Sequence, residues 1–486
     1  MHPSEGSIRP TRKLNLAQGM RDDFRTILRR NPLRAREADA LLDQVLAARG
    51  FGLEHRKLRV WQAPVILDSG LVRELTRSVR TLSALLEQTT QLALGSVAFM
   101  EQLGISPNVE ELALHDAPSR LAIEFARYDF LPSPHGPRFL EFNVDSPAGA
   151  LLSNTLDTEF QKLESAREAG LHTLFPSSPP ADLYEDAMLA AYGEHAFAVA
   201  ESPNVAIVDF AGVNTRPEQE MLAQAVRARG LKAELLDPRE FEFRRADRGL
   251  YAKDTRWHLV VRRVLAPELA RRRVLVSQFL HGLRHGEVVT VNPLRSRLAG
   301  NKGVLEILTS QAFDRFFTMA ENEQKARLLP WTRRMFERKT DYLDSEIDLV
   351  PFVTEKRDRF VLKPGGASGG DDVVIGAFTD AETWRRRIEE CLNQDAVVQE
   401  YVPPVEHPVP LLEGNEVVEQ SRFLVLGAFA IRGEYGGCIA RINSDPVVNV
   451  RRGGGIVPVL EAGGRSKTGP IEASRPRRRR TTGQTG

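Results

Sequence analysis

Hydrophobic positions along this chain change period several times, and each change marks an element. From Asp68 onward, Leu71, Val72, Leu75, Val79, Leu82, Leu85 and Leu86 recur at three- and four-residue steps. That is the spacing of one helix face, with Asp68 or Ser69 placed to cap it. The first fifty residues are polar and arginine-rich, with Ile27, Leu28, Leu41, Leu42 and Val45 as intermittent anchors; they predict an N-terminal helical layer. Residues 121–144 then switch period. LAIEFARYDF, the break LPSPHGP and RFLEFNV predict two strands joined by a turn.

Residues 205–263 alternate strand and helix: VAIVDF, a helix around EQEMLAQAVRARG ended by Gly230, KAELLD and HLVVRR, the pattern of a small doubly wound lobe. VVTVNP adds a strand, NKGVLEILTS a helix, and a charged helical stretch continues to residue 340. RFVLKP, a glycine-rich turn, DDVVIGAF, AETWRRRIEECLN and AVVQEYV predict strand, loop, strand, helix, strand. RFLVLGAFAI through GCIARINSDPVVNV reads as antiparallel β-structure. From Gly463 the chain is Gly, Ser, Thr, Pro and Arg, which predicts a disordered tail.

The fold class expected is therefore α/β, in five regions. These are a helical region at 1–115, a β segment at 116–180, a Rossmann-like lobe at 181–299, two α+β lobes at 300–462 and a tail at 463–486. At 486 residues with 42% hydrophobic positions, the chain can bury several cores. Cys391 and Cys438 are too few for a disulfide framework and read as buried thiols of a reducing compartment. No run spans a bilayer and the first residues lack a secretory apolar stretch, so a soluble cytoplasmic protein with no membrane partner is expected. Net charge is +1, but residues 463–486 hold seven basic residues and one acid, leaving the body acidic. Any nucleic-acid contact is thereby confined to the tail around Arg477–Arg480. No pattern speaks to oligomeric state.

Three constellations could carry chemistry. In Lys363-Pro364-Gly365-Gly366-Ala367-Ser368-Gly369-Gly370, a turn between two strands lets backbone N–H groups approach an anion, with Lys363 adding charge. A merely flexible hairpin is the bland alternative. The order is not that of a P-loop. Gly366-x-Ser368-x-Gly370 also satisfies the hydrolase nucleophile elbow, yet that motif needs a helix next and Asp371–Gly376 reads as strand, so a serine hydrolase is the minor reading. Second, Gln399-Glu400-Tyr401-Val402 ends a strand with donors and acceptors that could meet an adenine edge, or simply ends an edge strand before two prolines. Third, alternation places Arg127 with Asp129 on one face and Glu141, Asn143 and Asp145 on one face of the next strand, with Tyr128, Phe142 and Val144 turned away. Such hard oxygen donors suit Mg²⁺ held also by phosphate; a solvated sheet face is the alternative. His281 and His285 lack an acidic third ligand and read as a surface pair.

Taken in order, these segments from about Ala126 to Pro458 resemble the ATP-grasp superfamily, specifically its circularly permuted branch that includes glutathionylspermidine synthetase-like carboxylate–amine ligases. The resemblance implies an ATP-grasp fold and ATP- and Mg²⁺-dependent joining of a small-molecule carboxylate to an amine through an acyl phosphate. It implies Mg²⁺ on Asp129, Glu141 and Asn143, and Arg127 stabilising the transferred phosphoryl group. Lys302, following Asn301, and Lys363 would contact ATP. The turn with Ser368, Gly369 and Gly370 would cover the phosphates, and Gln399, Glu400, Tyr401 and Val402 would hold adenine. The segment from Arg441 to Gly455 looks like the closing segment of unpermuted members, but Val447 stands where a carboxylate would be. Arg441 and Asn449 are thus candidates for the phosphate or substrate end. The amidase domain of some relatives has neither room nor cysteine here. The rival reading is a nucleotide-binding regulatory or partner-binding module without ligase activity.

Overall fold

Asp68 ends one extended segment and starts the helix that the periodicity marks most clearly. Its carboxylate accepts the N–H groups of Gly70 (2.7 Å) and Leu71 (2.9 Å), and the helix Ser69–Gly95 follows. Leu75, Val79, Leu82, Leu85 and Leu86 are completely buried on its inner face. They pack on Tyr128, Phe130, Phe142, Leu426 and Ala428 of the main sheet. The computed structural model describes residues 15–53, 56–117, 119–195, 197–198, 202–364, 373–448, 450 and 452–463. Most of the glycine-rich turn, Asn449 and the basic tail lie outside the described residues.

The main sheet is antiparallel, in the order Gly455–Val457, Glu434–Asn443, Glu416–Ile431, Phe125–Leu131, Arg138–Asn143, with Glu406–Glu413 on the other half of the long Glu416–Ile431 strand. The two strands expected in residues 121–144 are present, and Tyr128, Phe142 and Val144 turn into the core as their alternation requires. A four-stranded parallel sheet has the order Val289–Val291, Leu259–Arg262, Val205–Val208, Ala233–Leu236. Its helix Arg216–Ala228 ends before Gly230, whose φ of +82° needs no side chain. A third sheet joins Thr332–Arg334, Ala396–Glu400, Phe360–Pro364 and Val374–Ile375.

The region before residue 115 is not only helical. Its helices Asn15–Arg30 and Pro32–Ala48 are present, but Val65–Leu67 forms a strand parallel to Val459–Glu461, with Phe175–Pro176 beyond it. Three consecutive apolar residues carry no period, so their partner near the other end of the chain was not readable. Both cysteines are buried thiols, as expected. Among the described residues no helix is long and apolar enough to cross a membrane.

The loop after Asn143 is pinned by the parallel sheet. Arg262, with no side-chain exposure, pairs with Asp145 (2.6 Å) and donates to the carbonyls of Asn292, Val264 and Asp145. Glu218 accepts the N–H groups of Gly149 (2.9 Å) and Leu151 (2.9 Å), satisfying the start of the helix Ala150–Phe160. Arg263 donates to Pro147 O (2.6 Å). Arg262→Met would leave Asp145 buried without its counter-charge. The expected cost is about 3–5 kcal/mol, read as a fall in the urea unfolding midpoint.

Candidate active site

A β-bulge creates the junction on which the site is built. The register Arg127↔Asn143, Asp129↔Glu141 shifts to Phe130↔Phe139, leaving Leu140 as the extra residue. Its carbonyl accepts Lys363 Nζ (3.2 Å) and Gln399 Nε2 (3.4 Å), so the bulge is where the main sheet meets the 360–400 sheet. Arg127, Asp129, Glu141 and Asn143 thus project beside Lys363, whereas Asp145, which alternation placed with Glu141 and Asn143, lies beyond the strand end and is buried against Arg262.

Asp129 lies at the centre, 3% exposed. Oδ1 accepts Arg127 Nε (2.8 Å). Oδ2 accepts Arg127 Nη2 (3.1 Å) and Asn143 Nδ2 (3.2 Å), and pairs with Arg441 Nη2 (2.7 Å). Burial alone would raise the carboxyl, but the two guanidiniums overcome it and hold Asp129 below the usual carboxylate range. Arg127 Nη1 donates to Ala148 O (2.8 Å), tying the cluster to the pinned loop. Asn143 Nδ2 also reaches Glu141 Oε1 (3.4 Å), leaving its amide oxygen as the atom it can offer a cation. Gly427 stands opposite Asp129 on the neighbouring strand. A Cβ there would lie 2.7 Å from Asp129 Oδ1 and 2.9 Å from Arg127 Cδ.

Lys363, next to the end of its strand, is buried and donates to Gln399 Oε1 (2.6 Å) as well as Leu140 O. Burial pushes its ammonium down to about 8, against the pull of Glu141. Gln399 is itself satisfied, donating to Thr332 Oγ1 (3.0 Å), so its side chain braces Lys363. Glu400 is held by Tyr342 Oη (3.2 Å) and Arg359 (3.7 Å). The main-chain N–H groups of Glu400 and Tyr401 donate to Trp331 O and Arg359 O. A cavity of about 250 Å³ brings Arg127, Asp129, Glu141, Asn143, Lys363, Gln399, Glu400, Tyr401, Val402 and Arg441 onto one wall set, with Leu131, Val361, Ile375 and Val425 supplying apolar surface.

Lys302 is not in that cavity. It lines a second one, of about 280 Å³, that shares Glu141 and Asn143 with the first and adds Ser146, Arg271, Arg297 and Asn301. Burial lowers the Lys302 ammonium while Glu141 opposes the shift. Asn301 Oδ1 accepts Gly303 N (2.9 Å) at the start of the helix Gly303–Thr309. Gly303 is required there, because a Cβ would lie 2.3 Å from Leu103 O.

Ser368, Gly369, Gly370 and Asn449 lie outside the described residues, so phosphate covering and the hydrolase alternative both rest on sequence alone. Among the described residues no three His, Cys, Asp or Glu side chains gather as a metal cluster. His281 and His285 stack with ring centroids 4.5 Å apart, as a pair without a third ligand. Reasoning from sequence missed Arg297 and Arg271, which lie on the short helices Ser296–Ala299 and Ala266–Arg271 and belong to no motif. It also missed Gly427, whose place inside a strand was the available signal.

No family model matches the chain, and no curated protein matches it. Among solved structures, a glutathione synthetase-like effector from Globodera pallida, in its apo form, aligns with TM-score 0.60 and 11% identity over 88% of this chain and 96% of the other. A D-cycloserine synthetase aligns at TM-score 0.26 and 16% identity, over 53% of this chain and 90% of its own. The D-alanyl-alanine synthetase A of Vibrio cholerae O1 biovar eltor aligns at 0.23 and 9%, over 46% and 68%. The first likeness spans 88% of this chain and 96% of the other, and at its low identity it shows a shared mixed α/β fold alone.

Proposed function

We propose that this chain is an ATP-dependent ligase joining a small carboxylate to an amine through an acyl phosphate, built as a circularly permuted ATP-grasp protein. The observation that carries it is the meeting, around Glu141 and Asn143, of cations from four separate segments: Arg127, Lys302, Lys363 and Arg441. The order along the chain supports the permutation, because the Arg127–Asn143 strands precede the Lys363 and Gln399 strands yet pair with the later Glu416–Ile431 strand.

In this reading the adenine lies against Val361 and Ile375. With the N–H groups of Glu400 and Tyr401 already donated, the main chain at Val402 is what the strand end offers the base edge. Lys363 and Lys302 take the phosphate oxygens. Glu141 and Asn143 supply the hard oxygen donors that fit Mg²⁺ when phosphates complete its shell, and the ion, when bound, would neutralise phosphate charge. The second cavity, with Arg271 and Arg297, seats the carboxylate. A carboxylate oxygen attacks the γ-phosphorus; the new O–P bond forms as the bond to the β-phosphate oxygen breaks, releasing ADP. Arg127 and Arg441 face the charge on the transferred group. The amine nitrogen then attacks the acyl carbon, the C–O bond breaks, phosphate leaves and the amine proton goes to solvent.

Calorimetric titration of ATP with Mg²⁺ should show metal-dependent binding that Glu141→Ala weakens at least about ten-fold. Phosphate release screened over amino-acid and polyamine pools should require both a carboxylate and an amine. ATP binding without release in any pool would favour the regulatory module, and no ATP binding would overturn both readings. A second expectation concerns pH. ATP needs the charged form of Lys363, and its folded-state ammonium lies near 8, so affinity should fall as pH rises from 7 to 9. Lys363→Met should weaken binding and flatten that dependence.

A further inference from the structure

Lys302 and Lys363 line different cavities, yet their ammoniums act on one another: burial lowers Lys363, and the charge of Lys302 adds to it. Two like charges brought together away from bulk water need counter-charge to stay in place. Glu141, on the main sheet, supplies part of it for both lysines. A second carboxylate, Asp395, reaches Lys302 from the 360–400 sheet. It immediately precedes the strand Ala396–Glu400, whose Gln399 accepts Lys363 Nζ (2.6 Å). Arg334 Nε approaches Asp395 at 3.6 Å, and Arg334 is itself held by Glu101 O (3.0 Å). Burial raises the Asp395 carboxyl, while Arg334, the Asn301 side chain that donates to it, Lys302 and Arg297 all pull the other way.

We propose that Asp395 is a positioning residue that holds the Asn301–Lys302 segment against the strand Ala396–Glu400, so that Lys302 and Lys363 are presented together to one polyanion. The assignment deepens the ligase reading and rests on it. Asp395 lines neither cavity, so it acts through Asn301 and Lys302 rather than on the substrates. Asn301 is 6% exposed and fixed in its orientation: Oδ1 accepts Gly303 N (2.9 Å), which leaves its amide N–H groups to turn to the carboxylate. The segment cannot shift past its neighbour, because Gly303 already packs so closely on Leu103 O that a Cβ would lie 2.3 Å from it. One short stretch of chain thus holds both lysines, Asp395 at its start and Gln399 near its end. In extended strand those two residues stand about 13 Å apart. The spacing of the two supports is therefore set by a hydrogen-bonded backbone between two other strands.

The test is a double-mutant cycle on phosphate binding. A non-hydrolysable ATP analogue with Mg²⁺ is titrated calorimetrically into wild type, Asp395→Asn, Lys302→Met and the double variant, and adenosine is titrated into the same four proteins. Asp395→Asn should weaken the analogue about five-fold and Lys302→Met more. The double variant should bind no more weakly than Lys302→Met alone, because the two residues act as one unit. Adenosine carries no phosphate and should bind all four alike, whereas a variant that only loosened the strand Ala396–Glu400 would weaken it as well. Losses that add in the double variant would overturn the assignment. So would wild-type affinity for the analogue in Asp395→Asn or Lys302→Met, or an adenosine loss in Asp395→Asn equal to that of the analogue. Should Asp395→Asn lack a cooperative thermal transition, Asp395→Ser takes its place in the cycle, removing the same charge from a side chain that is 34% exposed. A wild type that binds neither analogue nor adenosine would instead overturn the ligase reading, and this assignment with it; that failure shows in the wild-type titrations alone.

Discussion

The antiparallel pairing of Glu416–Ile431 with Phe125–Leu131 is the contact on which the rest depends. It joins segments far apart in sequence into one sheet, and one side of that sheet is sealed by the Ser69–Gly95 helix. The other side is then free to carry charge. Because side chains alternate strictly across a strand, sealing Tyr128, Phe130 and Phe142 on one face commits Arg127, Asp129, Glu141 and Asn143 to the other. A slip of one residue would exchange the two sets, so the apolar core holds the polar site in register.

Charge in the site is arranged in two ways. Arg262 with Asp145, and Arg127 and Arg441 with Asp129, are compensated inside the protein and fix geometry. Lys363 is held by neutral oxygens, Gln399 Oε1 and Leu140 O, and burial pulls its ammonium down. An ammonium solvated only by amide dipoles gains most from an incoming anion, whereas an ion-paired arginine gains orientation. The division matches a site that must both bind a polyanion and hold a reacting group still.

Much of this was legible because it rests on local pattern. The Asp68 cap, the alternation around Tyr128 and Phe142, the strand Phe360–Pro364 and the helix Ala381–Leu392 all follow from residues next to one another. Arg127, Asp129, Glu141 and Asn143 share one cavity with Lys363 and Gln399, while Lys302 lies across Glu141 in the adjoining one. What could not be read depends on partners distant in the chain. The bulge at Leu140 matters because of Lys363, the gap at Gly427 because of Asp129, and the loop at 145–149 because of Glu218 and Arg263. Spacing counts the oxygens of Asp129 but does not say that Arg441 will reach them first.

The Val65–Leu67 strand has one further consequence. Its parallel neighbour, Val459–Glu461, is made almost four hundred residues later, and the Phe125–Leu131 strand likewise waits for Glu416–Ile431. Long loops must close before either contact rewards the chain, so folding should be slow and dominated by non-local pairing. During synthesis Val65–Leu67, and the edge of Phe125–Leu131 opposite its hairpin partner Arg138–Asn143, remain unpaired until most of the chain has emerged. Until then those edges are open to pairing with other chains, an aggregation exposure set by topology itself.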